Sequence, residues 1–500
     1  MMNGWNARLG YRLAFLSSIL VMLCASAGRG ESPGSPGADE GVALVTAMES
    51  AIVNAVEKAE KSVVAIARVR VSRPGEVFNL EPKLDIFGRL LTPAPQLQPG
   101  DPDFVAADYA AGVVVDSDGL ILTLAQVLAD DSEYYVTLSD HRVFRAAVKA
   151  ADPRSDLAVL TIPAHDLPPI PLGDAGKLRK GQIVIALGNP YAIARDGQVC
   201  ASWGIVSNLG RKAPAVPSDQ EPTGKPTLHH FGTLIQTDAR LSFSANGGAL
   251  INLRGEMVGL LTALPAVAGF ETAAGYAYPV DETFRRVLNH LKRGEEVEYG
   301  FLGVQPEGLT LEERASGKIG SRVGRVIPGA PAERAGIRPN DIITSVNGEK
   351  IYDEDGLVLS VGRLPADASV NLEVLREGRR FNVQAHLTKY PVRGKKVVTA
   401  PRPKWRGIAV DYVSAMTITP ESFWQFPRTL DAVGVVEVDQ NSPAWRAGLR
   451  PGALISHVNG VPVKTPREFF DAVKSLQGPV RLSLVPDGSE DFQPVRTVEP

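Results

Sequence analysis

Proton transfer near neutral pH calls first on histidine, and the chain carries seven: His141, His165, His229, His230, His290, His386 and His457. His141 lies in a Leu138-Ser139-Asp140-His141-Arg142 turn and is expected at the surface, whereas His229 and His230 stand just ahead of an apolar strand at 234–237. Hydroxyl nucleophiles are offered by Ser242 and Ser244, close before the pair Gly247-Gly248, and a carboxylate by Asp156, which opens Asp156-Leu157-Ala158-Val159-Leu160. A serine, a histidine and an aspartate brought into register would make an acyl-transfer centre. Thiol chemistry has less to work with. Cys24 and Cys200 are the two cysteines, and Cys200, beside Trp203 in an apolar strand, reads as core filling. Neither a metal nor a cofactor is expected.

These groups must be held by several domains, because 500 residues is too long for one core. Apolar content of 44% and charged content of 22% are ordinary for a globular chain. Forty-eight glycines and 38 prolines with only 6% aromatics favour many short strands and turns. The formal charge of -3 gives no basic balance for nucleic acid. At the start, Arg8 and Arg12 precede an apolar run at 13–23 and then Ala25-Ser26-Ala27. That order predicts a signal peptide over 1–27, cut after Ala27, with membrane attachment only if it stays uncut. Cleavage removes two cations and Cys24, leaving a mature charge of -5 and one thiol, so neither an intrachain disulfide nor a thiol–metal cluster can be built. The chain is expected to be exported, to a periplasm or the extracellular space.

Residues 28–44, rich in Gly, Pro and Ser, are expected to form a disordered tether. Met48, Ile52, Val56 and Ala59 recur at helical spacing over 45–61. The period then becomes strand-like at 63–71, 112–115, 120–124, 135–138 and 157–162, with a proline-rich excursion loop at 72–108 after the first strand. Further strands are expected at 183–187, 204–207, 234–237, 248–251 and 257–262, with a closing helix at 282–292. Many short strands describe an all-β sandwich or barrel pair. Beyond residue 300 the chain repeats itself: residues 330–348 match 442–460 over 19 positions without a gap, at a constant offset of 112. Each copy predicts a short helix ended by a glycine, a strand and an Asn-Gly turn. The basic stretch 392–404 between the copies reads as a solvated linker in preference to a phosphate- or lipid-binding strip.

Each repeat resembles a PDZ domain in the strand order used by bacterial proteases, over 299–391 and 405–500. The resemblance implies peptide capture by strand addition beside a helix, with the terminal carboxylate on backbone N–H groups of a glycine-containing loop. In the first copy that loop holds Phe301, Leu302, Gly303 and Val304, flanked by a helix over 353–361. The second copy offers Arg406-Gly407-Ile408-Ala409-Val410, a weaker match, and has Ala453 where the first has Asp341.

Residues 45–295 resemble the protease domain of the HtrA/DegP family. The likeness runs through 112–128, 152–162, 172–179, 186–191, 204–211, 236–239 and 247–259. It implies a mainly β fold: a chymotrypsin-like double β-barrel followed by two PDZ domains, themselves small α+β barrels. In this family the catalytic His follows an Ile-Leu-Thr strand, the Asp opens Asp-Leu-Ala-Val-Leu, and the Ser precedes Gly-Gly. Asp156 fits its position, but Gln126 stands at the His position and Asn246 at the Ser position. A Gln amide cannot act as general base and an Asn amide is no nucleophile. Ser244 replaces a glycine whose N–H helps form the oxyanion hole.

The expected function is therefore an exported pseudoprotease that binds unfolded or C-terminal peptides through its PDZ modules, chaperone-like or regulatory in protein quality control. An active serine endopeptidase using unidentified residues and a pure PDZ adaptor are the alternatives; Ser242 and Ser244 have the wrong spacing to Gly247-Gly248 to replace the nucleophile, while His229 and His230 stand where they could approach the site. Gln126, Asn246 and Asp156 would then form either an inert hydrogen-bonded patch or the floor of a cleft that holds peptide uncut. The resemblance further implies a homotrimer, or a mixed oligomer with an active relative.

Overall fold

The computed structural model describes residues 38–70, 108–189, 198–217, 222–241, 245–263, 275–416, 431–486 and 494–500. The expected signal peptide, Ser242, Ser244 and most of the proline-rich excursion lie outside them. The chain divides into a unit up to Val53 and a unit from Asn54 onward. In the first, helix α1 (Ala38–Ala59) begins seven residues inside the stretch expected to be a disordered tether. Pro36 and Gly37 end the breaker-rich composition, and Ala, Glu and Val follow. Val42, Leu44, Val45 and Met48 are exposed on it. The last turn of α1 belongs to the second unit, where Ala55 and Ala59 are buried and Lys58 Nζ donates to the Arg254 carbonyl at 2.9 Å.

Two closed barrels follow. The first contains β1 (Val63–Arg70), β2 (Asp108–Asp116), β3 (Leu120–Leu124), β4 (Ser132–Thr137), β5 (Val143–Asp152) and β6 (Leu157–Thr161), in the order β5-β4-β1-β2-β3-β6 with β6 returning to β5. Val64, Ile66, Val114, Ile121, Val136 and Leu160 fill it. The second contains β7 (Ile183–Gly188), β8 (Cys200–Arg211), β9 (Leu234–Thr237), β10 (Ala249–Ile251), β11 (Met257–Thr262) and β12 (Gly275–Pro279), ordered β10-β11-β12-β9-β8-β7. Val184, Val206, Ile235, Leu250 and Leu261 fill that one. β8 corrects the reading of Cys200 as core filling. Gly204 and Val206 turn inward, Trp203 is 56% exposed on the outer face, and Cys200 lies exposed at the strand's start.

Helix α2 (Glu282–Arg293) is capped by Asp281, whose carboxylate accepts from Phe284 N–H, and buries Phe284, Val287, Leu288 and Leu291. The first repeat then forms β13 (Gly300–Phe301), β14 (Val304–Glu307), helix α3 (Leu311–Ala315), β15 (Ser321–Val326), helix α4 (Pro331–Arg334), β16 (Ile342–Val346), β17 (Glu349–Lys350), helix α5 (Glu354–Gly362), β18 (Ser369–Arg376), β19 (Arg379–His386) and β20 (Thr388–Lys389). Its sheet runs β14-β15-β16-β18-β19, and β13 pairs with β20. After a short β21 (Val397–Val398), the second repeat forms β22 (Ile408–Tyr412), β23 (Val433–Val438), helix α6 (Pro443–Arg446), β24 (Leu454–Val458), β25 (Val461–Pro462), helix α7 (Pro466–Val473), β26 (Val480–Leu484) and β27 (Val495–Val498). Its sheet, β22-β23-β24-β26-β27, has the same plan. The acid unique to the first copy is structural: buried Asp341 accepts from Arg376 Nε and Nη2, and Arg376 also reaches the Gly336 carbonyl behind α4.

The basic stretch 392–404 is only in part the solvated linker expected from its composition: 401–404 are exposed and irregular, but a central piece joins the fold. Val397 and Val398 pair with Ala151 and Ala150 of β5, adding β21 to the first barrel. Its cations find acids on both sides: Lys395 meets Asp130, Lys396 meets Glu296 at 2.6 Å, and Lys404 meets Asp439 at 2.7 Å and Glu437 at 3.2 Å. A like-charged run along the sequence thus becomes neutralised in space.

The repeats also meet each other. Phe301, Ile327 and Ala330 of the first pack with Val413 and Ala432 of the second, edged by Tyr390 and Leu454. Beside them Lys389, 3% exposed, places Nζ 2.8 Å from Asp411, 3.1 Å from Glu296 and 3.2 Å from Glu298. Burial opposes its charge, yet Asp411, Glu298 and Glu296 together hold Lys389 above the usual lysine range. Burial likewise opposes ionisation of Glu296, but Lys389 and Lys396 pull it down to about 2. Lys389→Met removes the shared cation and leaves three carboxylates facing one another. It is expected to cost about 3–5 kcal/mol, measured by chemical denaturation of the mature chain.

Candidate functional site

The carboxylate at the centre of the domain is held by a strained hairpin. Between β5 and β6, Asp152 Oδ2 accepts from Ser155 N–H at 2.8 Å, from Ser155 Oγ at 2.6 Å and from the Tyr299 hydroxyl. Asp156 at the hairpin's end has φ +54°, in the left-handed region that Asp tolerates better than most residues. Its carbonyl accepts Ala125 N–H at 2.9 Å, Oδ1 accepts Gln126 N–H at 2.8 Å, and Oδ2 accepts the Tyr278 hydroxyl at 2.7 Å. The residue is 6% exposed. Burial pushes its pKa up to about 7 against the pull of these two hydrogen bonds, with Asp152 nearby adding to the rise.

Gln126 lies on a single 3₁₀ turn after β3. It touches Asp156 through its main chain, and its side chain is exposed. Asn246 faces elsewhere: Oδ1 accepts Ala263 N–H at 2.5 Å, past the end of β11, while its carbonyl accepts Ala111 N–H at 2.8 Å. Gly247 beside it has φ +82°, and an added Cβ would stand 2.3 Å from the Ala111 carbonyl oxygen and 2.5 Å from Thr123 Oγ1. Glycine is therefore required where this turn crosses β2 and β3. The three side chains do not form the mutual hydrogen-bonded patch that their types allowed. Each amide is engaged by, or turned towards, something other than Asp156. Ser244, expected at the oxyanion position, and Ser242 lie outside the described residues.

The sequence does not assign Tyr278 to the site, and it gives His229 only as a residue that could approach it. Tyr278 comes from β12, which is buried along four of its five positions, so strand alternation gave no cue. The His229 ring stacks on it with centroids 3.5 Å apart and planes 4° from parallel. His229 Nε2 lies 2.9 Å from the Ser155 carbonyl, an acceptor only, so Nε2 carries the proton. Nδ1, 2.6 Å from Thr233 Oγ1, then accepts from that hydroxyl. Burial lowers its pKa to about 3. Both nitrogens are occupied, and the ring is packed face to face on that of Tyr278. His230 is part of the Thr227 capping box, its Nδ1 2.9 Å from Thr227 Oγ1. Among the described residues no three His, Cys, Asp or Glu side chains converge on a metal-sized site.

The peptide loop divides its four residues between two tasks. Gly303 has φ +80°, and a Cβ there would fall 2.2 Å from that of Ala330, so the turn is closed against the start of α4. The Leu302 carbonyl accepts Ala332 N–H and the Gly303 carbonyl accepts Ile327 N–H, both at 2.9 Å, so the carbonyls point into the domain. Leu302 and Val304 pack on the core shared with Leu357 and Val361 of α5. Phe301 turns away, edge-on to Tyr390 at 6.0 Å and into the contact with the second repeat. The equivalent loop of that repeat is closed on itself: Trp405 and Ile408 exchange both main-chain hydrogen bonds at 2.9 Å. Arg406 there binds the carbonyls of Val498, Leu476 and Gly478.

Comparison with known proteins places this geometry. Residues 110–260 match the trypsin-like peptidase domain family, and residues 322–376 and 434–485 match the PDZ domain family. A Pseudomonas fluorescens protein named probable periplasmic serine endoprotease DegP-like is 32% identical over 440 residues, spanning 84% of this chain and 87% of its own length. A Chlamydia trachomatis protein of the same name is 31% identical over 423 residues, 83% of this chain and 79% of that one. The solved HtrA-type protease AlgW with tripeptide aligns over 68% of this chain and 97% of its own, at 25% identity and a TM-score of 0.51.

The raised pKa has a consequence for stability. The folded pKa of Asp156 lies above its unfolded value of 3.8, so its favourable contribution is complete below that value and is lost as pH rises to about 7. His229 runs the other way, with a contribution complete above 6.5 and lost as pH falls towards about 3. Asp156→Asn imitates the protonated acid, its amide oxygen accepting Gln126 N–H and its NH₂ donating to Tyr278. The stability of this variant relative to wild type is expected to rise by roughly 2–3 kcal/mol between pH 5 and pH 8. Denaturation curves at the two pH values check this, and a difference that stays constant contradicts it.

Proposed function

Since the chain belongs to the HtrA/DegP family of exported, periplasmic serine endoproteases with PDZ domains, we propose that it is a catalytically silent member that captures peptides through its first PDZ domain. The observation that carries this reading is the set of partners around Asp156. In an active centre of this kind the carboxylate orients a histidine that takes the nucleophile's proton. Here its oxygens accept from the Tyr278 hydroxyl and the Gln126 main chain, and the Gln126 side chain is exposed. Asn246, at the nucleophile position, uses its amide oxygen to hold Ala263 N–H. His229, buried and stacked on Tyr278, is held as a neutral ring. In a comparable serine protease, loss of nucleophile or base alone costs roughly a million-fold in turnover.

Both loops turn their carbonyls inward, Leu302 and Gly303 in the first domain and Arg406 and Gly407 in the second, and capture is assigned to the first because its loop lacks the self-closing bonds of the second. That arrangement leaves the opposite side of the peptide groups for an incoming carboxylate. The second domain's loop is closed by its own Trp405–Ile408 bonds, which supports a role in assembly. A solved HtrA-type relative holds a tripeptide, which agrees with short peptides as ligands.

The mature chain is expected to show no labelling by a fluorophosphonate and no cleavage of casein over hours. It is expected to suppress the aggregation of a thermally unfolding protein at near-stoichiometric amounts. Casein turnover that survives Asn246→Ala would defeat the proposal and favour an active endopeptidase with a different nucleophile.

A further inference from the structure

The carboxylate loop of the first PDZ domain is supported from behind by three pieces of chain, and the second PDZ domain holds each of them. β13, the first half of the loop, pairs with β20, Gly300 opposite Lys389 and Phe301 opposite Thr388. Lys389 Nζ lies 2.8 Å from Asp411, and the Lys389 carbonyl accepts the Ser414 hydroxyl at 2.7 Å. The turn at 327–330 is the loop's back wall: Ile327 N–H donates to the Gly303 carbonyl, and Ala330 leaves no room for a Cβ at Gly303. Ile327 and Ala330, with Phe301 itself, pack on Val413 and Ala432. Finally, α4 donates Ala332 N–H to the Leu302 carbonyl, and its Arg334 Nη1 stands 2.7 Å from Asp431. Asp411, Val413, Ser414, Asp431 and Ala432 all belong to the second domain.

The state held in this way is a closed one. Leu302 of the loop and Leu357 and Val361 of α5 are 3%, 2% and 6% exposed and belong to one buried core. A ligand side chain enters between loop and helix only if Leu302 gives way, because a packed core has no room to spare. Leu302 stands between Phe301 and Gly303. Its displacement draws Phe301 from Val413 and Ala432 and lifts Gly303 from its wall. Opening the loop and keeping the second domain seated therefore compete for the same few residues. A seat that prepared the loop for ligand would leave these apolar side chains accessible, and here they are buried.

We infer that the second PDZ domain is a latch on the first: seated, it holds the carboxylate loop shut, and peptide enters only as the second domain lifts away. This rests on the proposed peptide capture and adds its regulation. By linkage, a peptide at the loop weakens the seat by the same factor as the seat weakens the peptide. The affinity of the whole chain is then the intrinsic one scaled by the fraction of molecules whose latch is open.

The test compares the mature full-length chain with Ala432→Glu, which sets a carboxylate against Phe301, Ile327 and Ala330, and with Asp431→Lys, which reverses only the half-exposed pair with Arg334. The probe is a fluorescein-labelled alanine-serine decapeptide ending in Ala-Ala-Val, followed by anisotropy, and seating is read as the radius of gyration in small-angle scattering. Ala432→Glu is expected to raise the radius and to bind the probe at least about tenfold more tightly than wild type. Asp431→Lys is expected to gain about threefold, the scale of one surface ion pair, and Arg334→Glu added to it reverses the gain. Saturating peptide is expected to raise the radius of the wild-type chain. A variant of raised radius that binds the probe no more tightly than wild type overturns the latch and leaves peptide capture standing. A wild-type complex of unchanged radius does the same, and it decides the matter even where Ala432→Glu fails to fold. Failure of the probe to bind any of these chains removes peptide capture itself, and the latch with it.

Discussion

A buried ammonium group must be paired where it is buried, because its desolvation is recovered only by close opposite charge. Lys389 obeys this with acids from separate parts of the chain: Glu296 and Glu298 on the strap that leaves the barrels, and Asp411 on the first strand of the second PDZ domain. Its own carbonyl accepts the Ser414 hydroxyl at 2.7 Å. Satisfying one cation thus fixes where the strap, the end of the first PDZ domain and the start of the second must stand. The neighbouring apolar contact of Phe301, Ile327 and Ala330 with Val413 and Ala432 gives the same placement a non-directional component. Phe301 is recruited to it from the peptide loop, so the loop's geometry and the seating of the second PDZ domain are set together.

A second buried group governs the barrels. Asp152 shapes the hairpin that carries Asp156, and Tyr299 closes that hairpin from the strap. Asp156 keeps the place its motif implied but has a phenol for a partner. The stack of His229 on Tyr278 and the Thr233 bond behind it make that phenol part of the second barrel's packing. Gln126 and Asn246 occupy the other two positions of that motif set on the same two-barrel scaffold.

Much of this was legible in the sequence where the signal is local. The two PDZ copies announced themselves through a 19-residue repeat, and their helices, glycine stops and Asn-Gly turns appear at the expected places. Short strands bounded by turn residues implied a sandwich or a barrel pair, the family likeness implied the barrels, and the residues at the three catalytic positions were visible as types. What was not legible depends on partners far along the chain. Tyr278 meets Asp156 across 122 positions, and a strand buried on both faces has no alternation to betray which aromatic points at a carboxylate. The cations of 392–404 looked solvated because their acids, Asp130, Glu296, Glu437 and Asp439, come from other elements. Cys200 looked internal because its neighbours are apolar, yet β8 begins at the exposed rim of its barrel.

The short strand β21 closes more than a gap in the linker. The second half of β5 has run past the end of β4, and without Val397 and Val398 the peptide groups of Ala150 and Ala151 on that side would face water as an unprotected sheet margin. The segment joining the two PDZ domains is therefore also a guard for the barrel. Any displacement of the second PDZ domain large enough to peel it away would expose a sticky edge in a protein exported to the periplasm. Such an edge is a template for pairing with another strand, and the segment between the two PDZ domains covers it.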